Sequence, residues 1–208
     1  MKSFNTDGDF KNNYKFLIGS IVPRPIALVS TLNTDGSSNL APFSFFTAVS
    51  AKPMIVAFSP FIKSSNGERK DTLINIEREK ECVINFVTED IVNKVNLCST
   101  ELDRNESEFE FSKLTSIDSQ IIKSKRVKES PIHFECKLRD IISYGEVPGC
   151  GSLVTVEVVK VHIKDELEHN GRISSDLYKV IGRGAGNDWI RNTDRFELER
   201  LMKTQIQK

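Results

Sequence analysis

The strongest constraint on what this chain can fold into is a succession of short apolar runs, rich in β-branched residues and each closed by a turn signal. Ile26-Ala-Leu-Val-Ser-Thr-Leu32 stops at Asn33-Thr-Asp-Gly36, whose Asp35-Gly36 pair favours a hairpin turn. Residues 39–49 resume with a Phe cluster, and residues 54–59 form a third run between Pro53 and Pro60. Residues 82–88, 132–143 and 152–164 follow, the last with Val154, Val156 and Val158 at alternate positions. So many strands joined by turns predict a mainly β architecture, an antiparallel barrel or sandwich with few helices.

Two helices are expected at the periphery. Residues 71–80 offer Asp71 or Thr72 as N-cap, with Leu73 and Ile76 one turn apart. Residues 90–97 place Ile91, Val92 and Val95 on one face. The stretch 99–128 is charged and mostly polar and reads as a long excursion over the surface. No internal repeat and no Gly/Ser linker divides the chain, so residues 1–208 are expected to form a single domain.

Charge excludes some functions. The 208 residues carry 29 basic and 29 acidic side chains, and this balance argues against a dedicated nucleic-acid binder. It also counts against an oligonucleotide-binding barrel, which needs a basic groove with exposed aromatics. No apolar run approaches the ~18 residues of a membrane span, and the first 16 residues lack a signal-peptide core, so no membrane association is expected. Cys82, Cys98, Cys136 and Cys150 are widely spaced, with no zinc pattern, which suggests a reduced, cytoplasmic protein. Cys82 and Cys136 lie in apolar alternation and are expected to be buried. Of the scattered histidines, His162 reads as a strand-surface residue. Nucleophile elbow, HExxH and P-loop are all missing, so no protein-borne nucleophile or metal site is expected.

Three constellations remain. Ser65-Asn-Gly-Glu-Arg-Lys-Asp-Thr72 enters a helix, where amide groups and the positive end of the dipole favour an anion. Taken alone, it reads better as a solvated charged loop before an ordinary capped helix. Asn39-Leu-Ala-Pro-Phe-Ser-Phe-Phe46 follows Ser30-Thr31 by one strand, and alternation would put Ser44 with Phe46 and Phe43 with Phe45. Polar groups beside aromatic walls suit a flat heteroaromatic ligand, although core packing accounts for most of the 13 Phe. Arg183-Gly-Ala-Gly-Asn-Asp-Trp189 reads as a turn and lacks the dinucleotide fingerprint.

Taken in order, several segments resemble a known family. They are Pro23-Arg-Pro-Ile-Ala-Leu-Val-Ser-Thr31, Asp35-Gly36, residues 39–46, Lys70-Asp-Thr72, Val95-Asn-Leu-Cys-Ser99, Glu108-Phe-Glu110, Glu129-Ser-Pro-Ile132 and residues 181–189. Together they resemble the flavin reductase-like family of FMN-binding proteins, which includes flavoredoxins. The resemblance implies a Greek-key split β-barrel, non-covalent FMN and a homodimer with the flavin near the subunit interface.

By motif position, Ser30, Thr31, Ala41, Ser44 and Phe45 would line the isoalloxazine and ribityl chain, with Asn39 and Pro42 of the same motif. Lys70, Asp71 and Thr72 would hold the phosphate, and Arg24 and Ser59 are further candidates. Trp189 stands where relatives carry Tyr, against the flavin face or the partner subunit. The implied activity is an NAD(P)H-dependent flavin reductase, with NADH or NADPH passing hydride to flavin N5 and a monooxygenase or other redox partner downstream. The alternative is a flavoredoxin-like FMN carrier reduced by a partner protein.

Overall fold

A computed structural model describes residues 1–103 and 106–202 of the chain. Helix α1 (Phe10–Ser20) leads into the short strand β1 (Arg24–Pro25) and then β2 (Ala27–Leu32), β3 (Ser38–Phe43), β4 (Phe46–Ala51) and β5 (Met54–Phe58). A long connection and α2 (Asp71–Glu79) return the chain to β6 (Glu81–Phe86). Helices α3 (Val92–Leu97) and α4 (Glu108–Ser112) and the small pair β7 (Ser116–Ile117) and β8 (Arg126–Val127) follow. The long hairpin β9 (Ile132–Ser143) and β10 (Ser152–Ile163) comes next. Beyond it lie β11 (Glu168–His169), β12 (Arg172–Ile173), β13 (Ile181–Arg183) and β14 (Trp189–Arg191).

The main sheet has seven strands in the order β3-β2-β6-β9-β10-β5-β4, each neighbouring pair antiparallel. It coils into the expected mainly β split barrel, and β1, β13 and β14 form a separate three-stranded sheet beside it. Among the described residues, no helix is long and apolar enough to cross a membrane.

Strand β2 explains how the layers are held. Ala27 and Val29 point into the barrel with Phe43, Phe58 and Ile84, whereas Leu28 joins Leu40, Val95 and Phe109 outside it. Helices α3 and α4 cover that outer face, so β2 is buried continuously instead of at alternate residues. Burying a side chain such as Leu28 contributes roughly 1.5–3 kcal/mol.

Four expectations change. The strand expected over 39–49 breaks at Ser44-Phe45, and both Phe43 and Phe46 turn into the barrel core while Ser44 and Phe45 point away from it. Simple alternation fails there because the chain reverses between two strands on opposite edges of the sheet. The stretch 99–128 is not only a surface excursion, since Phe109, Leu114 and Val127 are core residues. The α2 N-cap is Lys70, extended and without a side-chain cap bond, instead of Asp71 or Thr72. His162 is not on open surface, for its Nε2 lies 2.7 Å from Glu135. That carboxylate is fully buried and accepts from the amides of Gln120 and Ile121, both at 2.8 Å. Helix α1 has no counterpart among the sequence expectations. The expected burial of Cys82 and Cys136 holds, and the two face each other across β6 and β9.

Candidate functional site

Three contiguous cavities meet at Pro42, just before the chain reverses at Ser44-Phe45. Together they form one groove running from the N-terminus of α2, past the β3–β4 corner, to the three-stranded sheet.

At the α2 end, a cavity of about 110 Å³ is lined by Asn39, Ala41, Pro42, Lys70, Asp71 and Thr72. Thr72 is buried and its hydroxyl accepts from Asn39 Nδ2 at 3.0 Å. The same amide donates to Thr31 at 3.1 Å, and Asn75 donates to Thr31 as well, so this polar cluster holds α2 against β2. Because Thr72 Oγ1 already accepts, its own proton is left to donate outward. Lys70 reaches Glu101 at 3.1 Å, and Ser65 donates to the same carboxyl at 2.6 Å. The Ser65 hydroxyl and then the Lys70 ammonium hold the Glu101 carboxyl below the usual range. Lys63, a residue to which the sequence reading gave no role, lines this cavity and pairs with Asp71 at 3.2 Å. Burial pushes the carboxyl of Glu108 up, although its Oε2 accepts from the Leu40 amide at 2.9 Å.

In the middle, Ser44, Phe45, Ser59, Phe61, Lys70 and Tyr14 surround about 230 Å³. Tyr14 and Phe45 stack at 6.3 Å, and Phe61 meets Phe45 edge-on at 5.1 Å, giving an apolar wall. Gly151 is required behind it, because a Cβ there would stand 2.6 Å from the Phe61 ring. Tyr14 reaches the wall from α1, an element the sequence pattern did not announce.

The far end opens into about 680 Å³ between α1, α3 and the three-stranded sheet, lined by Arg24, Ser44, Arg183 and Trp189 among others. Arg24 is buried and spends its donors on the carbonyls of Ile18 at 2.6 Å, Ile21 at 3.1 Å and Gly184 at 2.9 Å, and on the Ser44 hydroxyl at 3.3 Å. It ties α1, the β3–β4 corner and the β13–β14 turn together. Gly182 lets the strands approach, since a Cβ there would meet the Arg24 carbonyl at 2.9 Å.

Of the thirteen residues singled out by motif position, eleven line this groove. Thr31 stands one layer behind, bonded to Asn39 and Asn75. Ser30 lies apart, because on β2 its side chain shares the outer face with Leu28 and donates to the Lys125 carbonyl. Tyr14, Lys63, Glu101 and Arg183 join the groove. Arg183 and Glu101 reach it only through pairing across the fold, which no local sequence pattern announces. Among the described residues no group of three or more His, Cys, Asp or Glu is placed to hold a metal ion.

Known proteins resemble this chain in sequence and in fold. The sequence model of the flavin reductase like domain matches residues 18–177. An uncharacterized protein of Halalkalibacterium halodurans is 35% identical over 192 residues, covering 91% of each chain. Nitrilotriacetate monooxygenase component B from Bacillus cereus superposes with a TM-score of 0.90 at 38% identity, covering 95% of this chain and 98% of the other. The 2-nitrobenzoate 2-nitroreductase of Pseudomonas fluorescens does so with a TM-score of 0.88 at 31% identity, covering 98% of both chains. This chain belongs to the flavin reductase-like family.

Proposed function

We propose that the chain is an FMN-binding oxidoreductase that takes hydride from NADH or NADPH. The observation that carries this reading is the groove itself, which joins cations and a donating hydroxyl at one end to an aromatic wall and backbone edge at the other. FMN has the same two halves, a phosphate and a flat ring, and the residues fit it. Lys70, Lys63 and Thr72 would hold the phosphate through charge-assisted hydrogen bonds. Ala41, Pro42 and the backbone of Ser44 and Phe45 would read the ring edge, with Tyr14 and Phe61 closing off water. When bound, the flavin supplies the hydride chemistry, which leaves orientation and electrostatics to the protein.

The name of the 38% identical neighbour, a monooxygenase component B, supports a monooxygenase as downstream partner. We propose a homodimer as the quaternary state that goes with this reading. Light scattering reads that state directly.

The activity is tested by anaerobic mixing of FMN-loaded protein with NADH and with NADPH. Bleaching of the flavin absorbance with either donor is expected. If neither bleaches it and a reduced partner protein does, the chain is a carrier and not a reductase.

A further inference from the structure

The far cavity carries a second site. Arg24 and Arg183 are directly opposite on β1 and β13, and Arg183 and Trp189 are directly opposite on β13 and β14. Opposed residues of antiparallel strands project to the same face, so all three side chains line one wall of the 680 Å³ cavity. Like charges directly opposite one another are unfavourable in a sheet. Burial first, and then the neighbouring Arg183 cation, push the Arg24 guanidinium below its ordinary value, partly offset by Tyr14.

Among the described residues no carboxylate is placed to cancel this charge. The partners of Arg24 are three carbonyls, a hydroxyl and the Phe45 ring at 5.9 Å. Arg183 donates to the Gly186 carbonyl at 2.6 Å and lies over the Trp189 ring at 4.5 Å. No Asp or Glu lines the cavity, and among the described residues neither arginine forms an ion pair. A guanidinium stacked on an indole keeps its edge donors in plane, a geometry that accepts two oxygens of one anion.

We propose that this cavity is an anion site for a planar second ligand, whose charged group pairs with Arg183 while its ring lies along Trp189 and Pro42. A ring carboxylate and the phosphates of a dinucleotide share that chemistry. The cavity meets the middle of the groove at Pro42 and Ser44, so a ring held there stands beside the proposed flavin position. Only the ligand's role as redox partner of the flavin rests on the function proposed above; the anion site itself does not.

The chain has a single tryptophan, Trp189, so its fluorescence reports this cavity alone. The experiment titrates the full-length protein with benzoate, with its neutral counterpart benzamide, and with inorganic pyrophosphate. A saturable change with benzoate but not benzamide assigns a ring carboxylate, and one with pyrophosphate assigns dinucleotide phosphates; either supports the proposal. Arg183→Gln should weaken the effective anion roughly tenfold or more, and Arg183→Lys by less, since it keeps charge but loses the fork. If Arg183→Gln does not melt cooperatively, Arg183→Lys carries the comparison.

Silence of Trp189 to both anions, equal response to benzamide, or an unaltered Kd in the variants overturns the site. A parallel titration reads FMN through its own fluorescence. Benzoate binding without FMN binding would remove the flavin reading and leave the anion site standing, and the reverse would do the opposite.

Discussion

At the α2 end of the groove each cation already faces a carboxylate, Lys70 against Glu101 at 3.1 Å and Lys63 against Asp71 at 3.2 Å. At the opposite end Arg24 and Arg183 face each other across two strands, beside carbonyls, a hydroxyl and the rings of Phe45 and Trp189 and, among the described residues, no carboxylate partner. Anion binding at the first end would therefore be an exchange, in which a phosphate displaces the carboxylates that screen the lysines. At the second end it neutralises a standing charge. The chain's overall neutrality, 29 basic against 29 acidic residues, hides this polarity completely. Net charge describes the whole surface, whereas recognition depends on where compensation is missing.

The far end of the groove depends most on Arg24. Arg24→Ala removes donors from three carbonyls, two of them buried, and unties three elements, and should cost about 3 kcal/mol or more, read from chemical denaturation. A loss under about 1 kcal/mol would mean that Arg24 does not hold the far end together.

A pH background of similar size has to be separated from the charge of the groove. Burial holds His133 down to about 4, with Nε2 donating to the Val127 carbonyl at 2.7 Å. In the unfolded chain this imidazole titrates near 6.5, so between those values the unfolded state carries the extra proton. The His133 contribution is thus complete above pH 6.5 and is lost as pH falls toward 4, by at most about 3 kcal/mol. Unfolding free energies of wild type and His133→Gln between pH 7 and 4 should differ in slope. Parallel curves would contradict the assignment.

Lys70→Ala sharpens the exchange end. Loss of a charge-assisted contact should weaken FMN by roughly 10- to 100-fold, or about 1.5–3 kcal/mol, in a fluorescence titration. The smallest effect belongs to Glu101→Gln. Without its carboxylate competitor, Lys70 should bind FMN a few-fold more tightly, about 0.5–1 kcal/mol, because an exposed ion pair contributes little. Weaker binding in that variant would mean that Glu101 helps to hold the cofactor instead of screening its site.

How far the sequence reached depended on whether one face of an element is exposed. Strand β9 was legible over its whole length, Ile132–Ser143, because apolar and polar residues alternate from Ile132 to Arg139. Strand β2 was legible as a strand, but the direction of Ser30 was not, because core lies on both of its faces. The reversal at Ser44-Phe45 carries neither Gly nor Pro and merged two strands into one expectation. Helix α1 escaped notice because Phe10, Tyr14, Phe16 and Leu17 all stay partly exposed and give no clear stripe.

At the site, Lys70-Asp-Thr72 and the Asn39–Ser44 run could be singled out by motif order, and the fold brings both to one groove. The opposition of Arg24 to Arg183 is a fact of strand register between distant segments, and no local pattern encodes it.

The central claim is that the groove holds FMN with its phosphate at Lys70. FMN and riboflavin differ only in that phosphate, so the most direct measurement is their relative affinity in wild type and Lys70→Ala. The account predicts that wild type prefers FMN by roughly tenfold or more and that the variant loses most of this preference. Equal affinity of wild type for the two flavins, or an undiminished preference in Lys70→Ala, would contradict it.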